Sequence, residues 1–376
     1  MKHYLFVANS PFTITNFRKE LVFSLISEGG KVSILCPNDC NLLDSSSQKQ
    51  DFINNGVDFY NLNVDRAGMN PLVDLMMFLK IIRTIKKVNP SIILNYTIKP
   101  TIYSSLAGGI LGKKFIYSNI TGMGYAFTDK CLKAKLLSVV IKLQYKLSLY
   151  FNNKVFFQNP DDLRFFAKNQ LIRSDKAVLI NGSGVDIDYF KNTIHTKIKV
   201  IRFLFVGRLL RDKGVFEYIE AAKIIKRSYP DAEFLIAGAF DSNPSAISEA
   251  EMQKHIGSGL ISYLGNVRDI KCVYQNADVF ILPSYREGTP RSTLEAMSME
   301  MPIITTDAPG CRETVKEGYN GYLVPTKNVE ELATAMERFI VNRSLIKIMG
   351  YNSRKIVVEK YDVKKVNKAI IETLIL

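Results

Sequence analysis

The residues best suited to chemistry lie together in the last third of the chain, in Pro283-Ser284-Tyr285-Arg286-Glu287-Gly288-Thr289-Pro290-Arg291-Ser292-Thr293-Leu294-Glu295. Two carboxylates, Glu287 and Glu295, stand eight positions apart around a Gly/Pro loop. Ionised carboxylates only accept hydrogen bonds, so they suit the hydroxyls of a sugar or a ribose. The loop follows an apolar run, Ala277 to Leu282, that reads as a short buried strand, and a helical pattern begins at Ser292. The first N–H groups of a helix have no intrahelical partner, and their partial positive charge favours a phosphate. Gly288 admits a ligand close to the backbone, and Pro290 fixes the entry to the helix. Glu295 has a second reading, because Ser292-Thr293-Leu294-Glu295 also fits a capping box in which Glu295 reaches back to the N-cap N–H. For Glu287 the alternative is a solvated loop carboxylate.

A second loop of the same kind is Gly207-Arg208-Leu209-Leu210-Arg211-Asp212-Lys213-Gly214, again between a strand pattern and a helix pattern. Arg208 can fork onto phosphate oxygens and Lys213 adds a point charge, although surface positions for both are the plainer reading in so basic a chain. The Walker pattern Gly-x-x-x-x-Gly-Lys-Ser/Thr is absent. Asp186-Ile187-Asp188 has the Asp-x-Asp form that can hold a divalent ion, but it follows two glycines at a domain edge, and no metal is expected. The five cysteines, Cys36, Cys40, Cys131, Cys272 and Cys311, show no paired ligand spacing, and with three histidines they give no zinc site.

The elements that must carry these loops follow an α/β rhythm. Tyr4 to Ala8 reads as a strand, Asn9 to Asn16 as a loop, Phe17 to Ser27 as a helix and Val32 to Leu35 as a second strand. Such a unit implies a right-handed crossover and a parallel sheet. An amphipathic helix from Leu72 to Lys87 and strands at Ser91–Asn95, 114–118, 154–158 and 177–180 continue it, giving one domain over 1–190. A short polar stretch, 191–200, reads as the hinge. A second domain over 201–360 has strands at 202–206, 233–237, 261–264, 279–282, 303–306 and 322–324. The last segment, 361–376, holds a helix with no strand after it, which can return to brace the first domain. The fold class is therefore α/β, two Rossmann-like doubly wound domains with ligands expected in a cleft along the carboxyl ends of both sheets.

Gly207-Arg208 with Lys213-Gly214, Glu287 with Glu295, Asp307-Ala308-Pro309-Gly310-Cys311-Arg312-Glu313 and Gly318-Tyr319-Asn320-Gly321 together resemble the retaining glycosyltransferases of family 4, of GT-B fold. The resemblance is most specific from Arg202 to Pro325. The first domain is matched through Lys99-Pro100-Thr101-Ile102-Tyr103 and Thr121-Gly122-Met123-Gly124-Tyr125, segments similar to the branch that builds bacterial O-antigen, capsule and lipid-linked oligosaccharides. The resemblance implies that Arg208 and Lys213 hold the donor diphosphate, Glu295 the ribose hydroxyls and Glu287 the transferred sugar. Gly207 and the backbone of Gly288, Thr289, Pro290, Arg291 and Ser292 would line the donor. It implies no cofactor and no metal beyond a nucleotide-sugar substrate, a UDP-linked N-acetylhexosamine, with GDP-mannose as the alternative. Many family members carry a histidine where this chain has Thr121, and His3, His195 and His255 lie elsewhere, so Thr121 and Gly122 are expected to meet the sugar on the acceptor side without a histidine base. UDP-sugar 2-epimerases share the two-domain fold, but the histidine and acidic residues expected to carry their chemistry are scarce in the first domain.

The net charge of +14 favours an anionic partner. Between Lys113 and Lys146 seven Lys face one Asp, Asp129. The stretch from Lys130 to Phe151 mixes Lys130, Lys133, Lys135, Lys142 and Lys146 with leucines and valines. It reads either as a basic amphipathic helix lying on an anionic inner-leaflet surface or as a core-packing helix with a solvated basic face. The first reading fits an undecaprenyl-diphosphate-linked acceptor, with Arg18 as a candidate for its phosphate. No leader and no run of roughly 18 apolar residues is visible, so a cytoplasmic protein held peripherally at the inner membrane is expected. A nucleic-acid binder is the alternative of another class, and it lacks support from any helix-turn-helix, zinc spacing or aromatic-basic sheet motif.

Overall fold

The computed structural model describes residues 1–38, 45–62, 70–123, 132–193, 200–241 and 245–375. The chain divides into two compact units, one formed by Met1–Ser183 with Val366–Leu376 and the other by Gly184–Lys365. The switch thus falls at Ser183–Gly184, ahead of the polar stretch 191–200, of which 194–199 lie outside the described residues. The physical reason is local. Val185 bridges Asp362, and Val185 and Phe190 are already buried in the core of the second unit.

In the first unit the strands are β1 (His3–Val7), β2 (Lys31–Cys36), β3 (Asp58–Asn61), β4 (Ile92–Tyr96), β5 (Phe115–Ile120), β6 (Lys154–Phe157) and β7 (Ala177–Leu179). Its helices are α1 (Pro11–Thr15), α2 (Lys19–Ser27), α3 (Ser45–Asn54), α4 (Pro71–Val88), α5 (Ile98–Ile110), α6 (Leu132–Leu149) and α7 (Pro160–Lys168). The strands run parallel in the order β3-β2-β1-β4-β5-β6-β7. Alternate residues of each strand face opposite sides. Leu5, Val7, Ile93 and Ile116 meet the α4–α5 side, whereas Tyr4, Phe6, Leu94 and Tyr117 meet the other. Part of Asn9 to Asn16 is the short helix α1 and not loop throughout, because Pro11 presets the first helical φ and Ile14 is buried.

The second unit holds β8 (Arg202–Val206), α8 (Val215–Ser228), β9 (Glu233–Ala237), α9 (Glu249–Ile256), β10 (Ser262–Tyr263), α10 (Ile270–Gln275) and β11 (Val279–Leu282). It continues with α11 (Arg291–Ser298), β12 (Ile303–Thr306), β13 (Gly321–Val324), α12 (Val329–Val341), α13 (Ser344–Lys360) and the start of α14 (Val363–Ile375). Its parallel sheet has the order β10-β9-β8-β11-β12-β13. Each sheet therefore reverses its strand order once, between β1 and β4 in the first and between β8 and β11 in the second. Open α/β sheets bind ligands at the carboxyl ends of such neighbouring strands. The remainder of α14 belongs to the first unit, where Val366, Ile370 and Leu374, spaced by four, are buried among its core side chains.

Candidate active site

The two loops singled out in the sequence leave the two strands that flank the reversal in the second sheet. After β8 the chain makes a single 3-10 turn, Arg211–Lys213, and enters α8 through Gly214 at φ +75°. A Cβ on Gly214 would stand 2.2 Å from the Pro283 carbonyl oxygen, so this position needs glycine for both conformation and space. After β11 the loop is tied to the first one. The Tyr285 N–H and the Ser284 hydroxyl both donate to the Asp212 carbonyl, at 2.9 and 3.1 Å. On its far side the Glu287 N–H donates to Pro309 O at 2.9 Å. Gly310, at φ +81°, leaves no room for a side chain, since a Cβ there would lie 2.2 Å from Glu287 O.

This framework brings Lys213 and Glu287 together. The Lys213 Nζ donates to Glu287 Oε1 in an ion pair whose partners are both largely shielded from solvent. The buried Cys311 lies nearby, and burial first, then the Glu287 charge, pushes its thiol up to about 12. Arg208 takes another direction. Its side chain is 58% exposed and its Nη1 pairs with Asp241 Oδ2 at 2.8 Å.

The helix expected from Ser292 begins one residue earlier, at Arg291, with Pro290 as the N-cap and no side-chain capping bond. Its first turn holds no acidic residue, so no carboxylate of that turn offsets the positive end of the helix dipole. The capping-box reading of Ser292 and Glu295 is thereby corrected, and a true box occurs at Ser248 and Glu251 of α9. Glu295 sits in the second turn, 8% exposed, with Arg291 Nε at 3.2 Å from Oε1 and the Tyr274 hydroxyl at 3.1 Å from Oε2. Burial raises its carboxyl above the ordinary value, against the opposing pull of Arg291 and the Tyr274 hydrogen bond. Tyr274, on α10, also lies 3.0 Å from Ser292 O and so ties Glu295 to the helix start. Nothing in the sequence spacing marked Tyr274, because its contact spans 21 positions.

The Asp-x-Asp carboxylates are engaged locally. Asp186 Oδ1 accepts from the N–H groups of Asp188 and Tyr189, and Asp188 pairs with Lys364 at 2.8 Å, which lowers the Asp188 carboxyl. Among the described residues no cluster of three or more His, Cys, Asp or Glu could hold a metal ion.

In the first unit Arg18, the candidate for an acceptor phosphate, is the N-cap residue of α2. It is 2% exposed and lies over the Tyr96 ring at 4.9 Å. Next to Tyr96 stands Thr97, a β-branched residue at φ +72° with a buried hydroxyl that has no partner. That conformation is rare for such a residue and is held where β4 ends, beside the strand reversal of the first sheet. Thr121 and Gly122 are half-buried just after β5, and Gly124 and Tyr125 lie outside the described residues. His3 contacts Ser33 at 2.9 Å, His255 faces Phe216, and His195 lies outside the described residues, as do Cys40, Cys131 and Asp129. Lys130 and the side chains of Lys133 and Lys135 are also outside them. Lys142 bonds Asn169 and stacks on Phe165, so it is not part of a free basic face. No helix among the described residues is long and apolar enough to cross a membrane.

Two family models match this chain, one described as glycosyl transferases group 1 over residues 188–356 and one as glycosyl transferase 4-like over residues 4–159. The chain belongs to the GT-B glycosyltransferases. It is 28% identical over 354 residues to the N,N'-diacetylbacillosaminyl-diphospho-undecaprenol alpha-1,3-N-acetylgalactosaminyltransferase of Campylobacter jejuni, with 90% of each chain covered. It is 24% identical over 351 residues to the Escherichia coli UDP-Gal:alpha-D-GlcNAc-diphosphoundecaprenol alpha-1,3-galactosyltransferase, covering 89% of each. Among solved structures, the fold of this glycosyltransferase matches a glycosyltransferase of Rickettsia africae at a TM-score of 0.79 and 20% identity, covering 99% of this chain and 97% of that one. It also matches Anabaena HepE in complex with UDP at 0.77 and 16% identity, covering 100% and 99%.

Proposed function

We propose that this glycosyltransferase moves an N-acetylhexosamine from a UDP-sugar to an undecaprenyl-diphosphate-linked saccharide with retention at the anomeric carbon. The observation that carries the reading is the Lys213–Glu287 pair, a cation and a carboxylate held together by two loops at the strand reversal of the second sheet, before α11, whose first turn carries no acidic residue. The names of the Campylobacter and Escherichia relatives support the acceptor class, and the UDP complex of the Anabaena neighbour is consistent with the nucleotide.

In this reading the donor diphosphate takes the Lys213 ammonium and the first N–H groups of α11, and Arg208 turns from Asp241 towards it. Glu287 is released to a sugar hydroxyl, and Glu295 accepts from the ribose. As the bond between the anomeric carbon and the diphosphate oxygen breaks, negative charge grows on the diphosphate, where Lys213 and the helix start are already oriented. The acceptor oxygen bonds the anomeric carbon on the same face, and its proton passes to the departing phosphate oxygen. No metal and no cofactor takes part. Arg18, Thr121 and Gly122 belong to the acceptor side, and a lipid-linked acceptor sets the reaction at the cytoplasmic surface of a bilayer.

Transfer from UDP-N-acetylgalactosamine and UDP-N-acetylglucosamine to a lipid-linked saccharide tests the assignment. Lys213→Met and Glu287→Gln are each expected to lower kcat about 100-fold or more, by analogy with the loss of one transition-state donor. Thermal unfolding controls for the ion pair each variant breaks. Transfer within about threefold of the parent in both folded variants would remove them from the reaction.

A further inference from the structure

We propose that the outward side of the α4–α5–α6 layer docks on an anionic lipid bilayer, with the first two turns of α4 as its apolar anchor. The inference rests on the lipid-linked acceptor reading and adds the surface that would meet the lipid.

A helix packed on a sheet ordinarily turns its apolar stripe inward and its polar side to water. α4 has its inward stripe, with Met77, Ile81, Ile85 and Val88 buried in the core. It carries a second one opposite, where Leu72, Leu75, Met76 and Leu79 are 69, 52, 63 and 43% exposed. Their spacing keeps these four on one face. Farther along, the same side becomes basic, with Arg83, Lys86 and Lys87 all exposed. α6 repeats the arrangement, since Tyr145 and Leu149 are buried while Val139, Val140, Leu143 and Leu147 are exposed. Between them α5 offers Tyr103 and Leu106, which with Pro71, Asp74, Leu75 and Phe78 line an open, mainly apolar groove. Asp74 is ion-paired there with Lys99 at 2.7 Å and accepts a hydrogen bond from the Tyr103 hydroxyl at 3.0 Å.

Charge selects the occupant. Arg83, Lys86 and Lys87 of α4 and Lys146 of α6 are exposed, while Asp74, the one acidic residue in the sequence of 70–123 and 132–151, is paired with Lys99. A second copy of so basic a surface would repel the first, whereas an anionic headgroup layer attracts it and accepts the apolar side chains beneath. Exposed apolar area of this extent on a basic ground marks a surface that meets something less polar than water. No described helix can cross the bilayer, so the layer lies on it.

The full chain is tested by co-flotation with vesicles of phosphatidylglycerol and phosphatidylcholine, and of phosphatidylcholine alone. The parent is expected to float with the anionic vesicles at about 0.1 M salt and to be released at about 0.5 M. Leu75→Glu/Met76→Glu is expected to lose at least tenfold in partitioning, and Arg83→Glu/Lys86→Glu roughly fivefold per residue changed. All of these positions are exposed and lie outside the residues assigned to the reaction, so unfolding temperature and UDP binding are expected to stay at parental values. Transfer to a vesicle-borne acceptor should fall, and transfer to a short water-soluble acceptor analogue should not. Equal flotation on neutral vesicles, or parental flotation by both variants, overturns the proposal. So does a dimer in sedimentation velocity that Leu75→Glu/Met76→Glu dissociates while the parent fails to float. UDP binding is read separately, so loss of the transferase reading would show as absent nucleotide binding in a protein that still floats.

Discussion

At the scale of single residues, the candidate site joins groups from distant positions through short polar contacts. Lys213 meets Glu287 across 74 positions, and Tyr274 meets Glu295 across 21. Residue type and loop context were enough to single out Lys213, Glu287 and Glu295, because carboxylates and a lysine in strand-to-helix loops are chemically conspicuous. Their partners were not legible, since Tyr274 sits in the short helix α10 and Asp241 outside any helix or strand. Glu295 has a titration consequence. The unfolded carboxyl ionises near 4.5, and burial raises that value in the fold. The folded chain therefore binds this proton more tightly than the unfolded one, and the group's contribution to stability falls as pH rises through the window above 4.5. In the proposed binding mode the ionised Glu295 accepts from the ribose, so UDP affinity is expected to rise with pH through that same window. Glu295→Gln should flatten the dependence and weaken binding by about 1–2 kcal/mol. Calorimetric titrations of both proteins across mildly acidic pH check this, and a parental pH dependence in the variant would exclude Glu295 as its source.

At the scale of elements, the strands were legible because short apolar runs bounded by loops are what a parallel sheet buried on both faces requires. The strands β8, β9, β11 and β12 coincide with the runs read from the sequence. α5 was not legible, because it is buried broadly, with Thr101, Ser104, Ser105 and Gly108 among its residues, and shows no clean polar stripe. The start of α11 was misplaced by one residue since Pro290, and not Ser292, terminates the loop. Two glycines make the loop-on-loop packing possible, and Gly310 is the more direct test. Gly310→Ala adds a left-handed strain and a carbon 2.2 Å from the Glu287 carbonyl oxygen, whereas Gly318→Ala, at φ +69°, meets no atom within 4 Å. Denaturant unfolding should show Gly310→Ala losing about 2–5 kcal/mol from strain and contact together, with transfer reduced beyond the stability loss. Gly318→Ala should lose about 1–2 kcal/mol and keep its activity. Equal activity in the two variants would mean that the backbone of Glu287 is not a sensitive part of the site.

At the scale of the whole molecule, two doubly wound units were legible from the repeating strand and helix rhythm, and the return of the last helix to the first unit from its lack of a following strand. Val366, Ile370 and Leu374 enter the first core, and the Tyr117 hydroxyl reaches Leu374 O at 3.4 Å. The place where the chain changes unit was less legible, because the polar stretch after Phe190 stands out in composition while Val185 and Asp362 pair silently ahead of it. The central claim is that the strand reversal of the second sheet binds a UDP-linked donor through Lys213 and Glu295. Isothermal titration of the intact chain with UDP and with GDP, on the parent and on Glu295→Ala, tests it most directly. The account predicts saturable UDP binding that weakens about tenfold or more in Glu295→Ala, with GDP weaker throughout. Preferential GDP binding would move the donor to the mannosyl class, and UDP binding unchanged by Glu295→Ala, or absent altogether, would contradict the site.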